Sequence, residues 1–266
     1  MNKDVGEAPK GAEGVITRGK TAKNRLRRVD TFLLQYAKEL LTRTDALYVD
    51  LGYGAEPTTT LESAQRFHQV NPQLPVLGVE IDPERVEQAA PYENAITHFK
   101  VGGFNIPLED DQHATVIRAF NVLRQYEVDA VQPAWEQMGQ SLAENGLLIE
   151  GTSSPYGKNW TANLLRKRNQ VLQYEGFLFS TNFHAGFSPE LFQPYLTKNF
   201  IHQIGSGSAI DRFMADWKQA CDRTVSEKTW GLRQWFAASA KQLSHHYPIL
   251  YQKKLLKRGY LLWLWE

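Results

Sequence analysis

The apolar positions of this chain follow two rhythms. Between residues 47 and 151, short and nearly unbroken apolar runs alternate with stretches of helical spacing. The runs at 47–51, 76–81, 95–101, 114–120 and 147–151 predict strands. Helices are expected between them at 58–70, 83–91 and about 129–144. Asp82 is placed to cap the second of these, with Pro83 at its first position. Asn145-Gly146 stops the third. Strands alternating with helices predict βαβ units and a parallel sheet buried on both faces, which the runs VLGVEI and GLLIEG suit. Upstream, Phe32, Leu33, Tyr36, Leu40 and Leu41 keep helical spacing, so a helix over 22–43 is expected beside the first strand.

After about residue 153 the rhythm changes. VLQYEG and FLFSTNF read as two short strands with Glu175-Gly176 between them. Ser188-Pro189-Glu190 reads as a helix start, and amphipathic helices follow near 209–223 and 228–245. The final YLLWLWE reads as a strand apolar on both faces. The expected architecture is one Rossmann-like α/β domain over 15–266, with a doubly wound, mostly parallel sheet. An N-terminal helix and C-terminal helical and strand additions complete it. Residues 45–152 form its ligand-binding core and 153–250 its strand and helical cover, while 1–14 are expected to be a disordered tail. No repeat and no long linker argues for independent domains.

Composition adds bounds. The 266 residues, 42% hydrophobic, suit a globular chain with a sizeable core. A net charge of +1 gives no whole-molecule field for a polyanion. The single cysteine, Cys221, excludes an internal disulfide framework and a cysteine-based zinc site. The His245-His246 pair does not share a helix face, and no metal site is expected. The first residues hold no apolar signal region, and no stretch reaches the ~18 apolar residues of a membrane span. A cytoplasmic protein without a membrane partner is expected. A basic segment, 18–28, holds Arg18, Lys20, Lys23, Arg25, Arg27 and Arg28. It could meet nucleic-acid phosphate, fold over a ligand as a lid, or be a solvated helix face, and no aromatics are interleaved with it.

The candidate chemistry lies in 47–84. A strand ends in Asp50, Gly52 and Gly54, a helix follows, and a second strand ends in Glu80. Glycines let the backbone approach a ligand, and an acid after the second strand can accept bonds from two ribose hydroxyls. Asp50-Leu51-Gly52-Tyr53-Gly54 and Glu80 resemble the first two motifs of class I S-adenosylmethionine (SAM)-dependent methyltransferases. The nicotinamide fingerprint fits less well, because Pro57 stands at its third glycine. The whole chain is also similar to uncharacterised bacterial methyltransferase-like proteins, through RGKTAKNRLRRVD, VDLGYGAEPTTTLE, IRAFNVLRQY and LLIEGT.

The resemblance implies SAM as cofactor, methyl transfer to an unidentified acceptor, and a late strand inserted antiparallel among buried neighbours. Its cofactor side takes in Asp50, Gly52, Tyr53, Gly54, Glu80, Ile81, Gly103, Phe104 and Asn121. Asn121, Arg124 and Tyr126, which follow the fourth strand, are the substrate-side candidates, and Glu150, Thr152 and Ser153 end the fifth. The chain departs from the pattern at Glu56, where many members have glycine, and at Gly102-Gly103, where an acid is common. It also lacks the Asn-Pro-Pro-Tyr of some amino methyltransferases. A second reading is therefore a non-catalytic nucleic-acid-binding or regulatory protein on the same fold.

Overall fold

The computed structural model describes residues 12–16, 19 and 21–265. Residues 1–11 of the expected disordered tail, and Arg18 and Lys20 of the basic segment, lie outside them. Eight strands form one sheet in the order β3-β2-β1-β4-β5-β6-β7-β8. The parallel half comprises β1 (Tyr48–Leu51), β2 (Val76–Glu80), β3 (Thr97–Val101), β4 (Ala114–Phe120) and β5 (Leu142–Ser153). The antiparallel half comprises β6 (Asn159–Arg168), β7 (Val171–Thr181) and β8 (Tyr260–Leu264). The fold is Rossmann-like, with the chain reversing its direction of travel between β1 and β4. That switch point opens a crevice at the strand carboxyl ends, where α/β sheets bind ligands.

Helices α1 (Arg27–Tyr36), α2 (Lys38–Thr42) and α3 (Thr58–Phe67) cover one face. There Phe32, Leu33, Leu41 and Phe67 bury themselves against Tyr48, Val116, Trp160 and Leu178. Helix α4 (Pro83–Ala89) flanks β2 and β3, and α5 (Val131–Gln140) covers the second face of the parallel half through Trp135 and Met138. Over the antiparallel half of that face lie α6 (Lys198–Ile201), α7 (Ala209–Arg223) and α8 (Leu232–Leu243). Phe213 and Trp217 of α7 stack among Phe179, Phe192 and Trp263 there. Helix α9 (Lys253–Lys257) precedes β8 and joins both cores, Leu255 that of the first face and Leu256 that of the second.

The alternating half matches the predicted pattern closely, and the rest needs correction. The expected helix over 22–43 is two helices, broken at Ala37 and beginning only at Arg27. The delay has a cause: Asn24 is left-handed (φ 61°), with its N–H on Glu62 Oε1 at 2.8 Å, so the chain turns first. The strand expected to begin at 147 begins at Leu142 and bends through a register shift against β4. β6 is a strand no apolar pattern announced. The two short strands expected around Glu175-Gly176 are one strand, β7. The last strand is not inserted among neighbours, because among the described strands β8 has β7 alone as its neighbour and sits at the edge of the ladder. Its outer side is closed by Leu250 N–H on Leu262 O (2.9 Å) and Leu264 N–H on Pro248 O (2.8 Å), which protects the edge.

Candidate functional site

The crevice is built on two turns. After β1 the chain passes through Gly52 (φ 73°) and Gly54 (φ 92°) into α3. A Cβ on Gly54 would stand 2.5 Å from the Gly19 carbonyl, so this position needs glycine for both its conformation and its neighbour. After β2, Glu80 is buried with its carboxylate facing that turn. Its Oε2 accepts the Gly54 N–H at 2.9 Å and its Oε1 the Ile81 N–H at 3.1 Å, with Arg85 Nη1 at 3.4 Å. Burial raises the carboxyl's pKa, while the Gly54 N–H and Arg85 pull it back. Asp82 accepts the Glu84 N–H at 3.0 Å and caps α4 as expected, which leaves Glu80 to the crevice.

Leu51, Gly52, Glu80, Ile81, Gly103, Phe104, Val122 and Tyr126 line one cavity. Five of the predicted cofactor-side residues and one substrate-side residue thus meet at the switch point. The segment at 13–15 completes the lining. The Phe104 N–H donates to the Glu13 carbonyl at 2.9 Å, and the Glu13 N–H to Asn105 Oδ1 at 2.9 Å. Tyr126 Oη accepts the Val15 N–H, Gln125 Nε2 reaches the Val15 carbonyl at 3.2 Å, and the Ala55 N–H the Gly19 carbonyl at 2.8 Å. Any Cβ on Gly103 would run into the Glu13 carbonyl. The remaining cavity is about 20 Å³, room for roughly one water. Sequence reasoning did not find this strap. The mark it leaves in the sequence is the bare Gly103 that it covers, and the basic segment, for which a lid was among the readings, lies just downstream.

Asp50 and Tyr53 turn elsewhere. Asp50 is buried on the α1–α3 face, and its Oδ2 accepts the hydroxyls of Thr59 (2.9 Å) and Thr60 (2.8 Å). The Arg118 guanidinium holds both its oxygens, Nε to Oδ1 at 3.0 Å and Nη2 to Oδ2 at 2.8 Å. Arg118 in turn pairs with Asp30 at 2.6 Å, and Asp30 with Arg66 at 2.7 Å. Asp50 therefore fixes the turn and the start of α3. Tyr53 is a core residue, packed edge-on against Phe99 at 5.4 Å.

Asn121, left-handed at φ 62°, ties the ends of β4 and β5 together. Its Oδ1 accepts the Ser153 N–H at 2.9 Å and its Nδ2 donates to Ser153 Oγ at 3.2 Å. From α1's approach, Arg25 joins the same point, Nε to Ser153 Oγ at 2.9 Å. Arg124 is exposed and donates to the Pro194 carbonyl at 2.9 Å. Glu150 points into the sheet's second face, where Asn163 Nδ2 donates to it at 2.7 Å. Burial pushes its carboxyl up to about 7, against the pull of Asn163.

A larger cleft of about 500 Å³ lies at the opposite, amino edge of the sheet, lined by Arg43, Asp45, His113 and Lys167 among others. It gathers none of the predicted residues, and parallel sheets bind ligands at the other edge. Among the described residues no cluster of side chains could hold a metal ion, and no helix is long and apolar enough to cross a membrane.

No protein-family model and no curated protein sequence matches the chain. Many of the solved structures it is similar to are SAM-dependent methyltransferases, all at low identity. One is the magnesium protoporphyrin IX methyltransferase of Synechocystis PCC 6803 with bound SAH, 16% identical over 48% of this chain and 54% of that one, TM-score 0.37. Another is an amino pentose methyltransferase of Micromonospora echinaspora with bound SAM, 17% identical over 64% of this chain and 73% of that one, TM-score 0.36. The citrinin polyketide synthase CMeT domain is 15% identical over 50% of this chain and 36% of that one, TM-score 0.41. This chain thus covers about half the length of the first of them. These are likenesses of fold.

Proposed function

We propose that the protein is a SAM-dependent methyltransferase holding its cofactor at the carboxyl ends of β1 to β4. The observation that carries the reading is the buried Glu80 carboxylate, set beside the Gly52–Gly54 turn at the switch point. A carboxylate there can accept the two ribose hydroxyls of an adenosine. Ile81 and Phe104 would flank the adenine, and Gly103 presents bare backbone to it. The wall fits the group, and the strap at 13–15 takes its space. A cofactor site of this class needs about 300–1,000 Å³, so entry requires the strap to leave.

SAM, when bound, supplies a methyl group already activated on a sulfonium. The chain's own task is then positioning. Asn121 and Ser153 hold the ends of β4 and β5 in register, and Arg124 and Tyr126 stand on the acceptor side. One observation favours the second reading, a non-catalytic protein on this fold: the strap lies in the crevice, with the Phe104 N–H on its Glu13 carbonyl at 2.9 Å.

Calorimetric titration of SAM and of S-adenosylhomocysteine (SAH) into the wild type and into Glu80→Ala decides between them. The expected result is binding by the wild type that falls at least about tenfold in the variant, the loss of charge-assisted bonds to two hydroxyls. A folded wild type that binds neither nucleoside sinks the enzyme reading.

A further inference from the structure

The edge of the sheet that carries the crevice continues past it. Antiparallel pairing brings the ends of β4, β5 and β7 and the starts of β6 and β8 to one side, with Ser153 opposite Trp160, Asn159 opposite Thr181 and Ser180 opposite Tyr260. Five arginines are spread along this edge: Arg124, Arg25, Arg28, Arg258 and Arg233. Arg25 lies on the end of β5, with Nη2 on the Ser153 carbonyl at 3.0 Å. Arg28 lies across β7 and β8, with Nη2 on Ser180 Oγ at 2.9 Å and on the Arg258 carbonyl at 2.7 Å, its guanidinium 4.5 Å over the Tyr260 ring. Arg233 reaches the Lys257 carbonyl at 3.0 Å and lies over Phe183.

Among the described residues, the ion pairs involve none of these five. That is unusual for Arg25 and Arg28, which are both partly buried and are held through Nε and Nη2 by hydroxyls and carbonyls alone. A half-buried guanidinium ordinarily recovers its lost hydration from a carboxylate. Burial lowers the pKa of both, and Arg124 adds to it for Arg25, while for Arg28 Tyr260 opposes it and Arg233 adds to it. In a chain of net charge +1, this is a local concentration of one sign.

Two further features select the kind of anion. From β4 to β8 is four strand spacings, roughly 19 Å, too long for one phosphate or carboxylate and suited to several in a row. Tyr156, 73% exposed, stands in the β5–β6 loop, whose Gly157 lies directly against the Arg25 backbone. The basic segment lacks aromatics of its own, and the fold supplies Tyr156 from far along the chain. Cations tracking a backbone beside an exposed ring are what single-stranded nucleic acid uses.

We propose that this arginine rim binds single-stranded nucleic acid and that such a strand is the methyl acceptor. The first half stands on the rim alone, while the second rests on the methyltransferase reading above. Phosphates lie along Arg124, Arg25, Arg28, Arg258 and Arg233, and a base stacks on Tyr156.

The test is fluorescence anisotropy on the full chain with a labelled 12-nucleotide RNA, and the DNA of the same sequence, from 50 to 200 mM salt, with SAH titrated in parallel. Log affinity is expected to fall with log salt at a slope of about −2 to −3.5, three to five phosphates at ~0.7 each. Arg233→Glu with Arg258→Glu, at the far end of the rim, should weaken the strand about tenfold or more and flatten that slope by more than ~1. Tyr156→Ala should weaken it about tenfold, and SAH binding should be unmoved in both variants. A preference between the RNA and DNA arms names the source of the strand. Binding that ignores salt, a heparin fragment that binds as tightly, or the arginine variant binding like wild type overturns the rim. A strand that binds while SAH does not leaves the rim standing and removes the acceptor role.

Discussion

Glu150→Gln gives the sharpest physical test of the structure. Glu150 is fully buried on β5, with Asn163 donating to it at 2.7 Å and the Tyr174 hydroxyl bonded onward to Asn163 at 2.7 Å. Burial dominates and lifts its carboxyl from 4.5 to about 7. Between those values the folded chain keeps a proton that the unfolded chain has released. Stability from this group is therefore complete below the unfolded value and is lost as pH rises through the folded one. Each unit of pKa shift is worth ~1.4 kcal/mol, so the window from 4.5 to about 7 carries about 3 kcal/mol. Glutamine has the shape of the protonated acid and does not titrate. The difference in unfolding free energy, variant minus wild type, should rise by about 3 kcal/mol between pH 4.5 and pH 8. Urea melts at each pH measure it, provided the m-value is unchanged. Other groups titrate equally in both proteins and cancel. Parallel stability curves would refute the buried, protonated Glu150.

Arg118→Met strands the Asp30 and Asp50 carboxylates in the core and should cost about 3–5 kcal/mol in denaturant melts; a loss below about 1 kcal/mol contradicts the buried network. Removing residues 1–16 takes away the strap's bonds at Phe104, Asn105 and Tyr126. If the strap only competes, SAH affinity should rise, on the order of tenfold if the closed form is favoured by about 1.4 kcal/mol; a fall in affinity would identify it as a wall of the loaded site. Asp82→Ala loses the cap on α4 and should destabilise by about 1 kcal/mol, visible as a small shift of the melting midpoint; no shift would mean that water replaces the cap.

How far the chain could be read from its sequence depends on where each group finds its partner. The parallel half was legible because its strands are buried on both faces, so their apolar runs need no tertiary knowledge. Glu80 and Asp82 were legible because a cap and a strand-end acid are local features. β6 was not, because its inward positions include Thr161 and Asn163, both fully buried, and it closes in Arg166, Lys167 and Arg168. Those residues are satisfied from a distance. Asn163 meets Glu150, Arg166 meets Glu175, and the buried Lys167 ammonium finds the Leu142 carbonyl at 2.8 Å. Without the partners in view, the stretch carries no strand signal. The same reason hid the continuity of β7 through Glu175-Gly176, since Glu175 is held there by Arg166 and by the Tyr36 hydroxyl at 2.6 Å. It hid Arg118 too, which sits in the middle of an apolar run and is paid for by carboxylates 68 and 88 residues away. The strap is the extreme case. Its bonds are made by backbone N–H and C=O groups, which every residue type carries alike. Glu13, Gly14 and Val15 therefore reveal nothing in their identities of the Gly103–Tyr126 wall they cover, and only the bare Gly103, on the far side of the contact, bears a mark of it in the sequence.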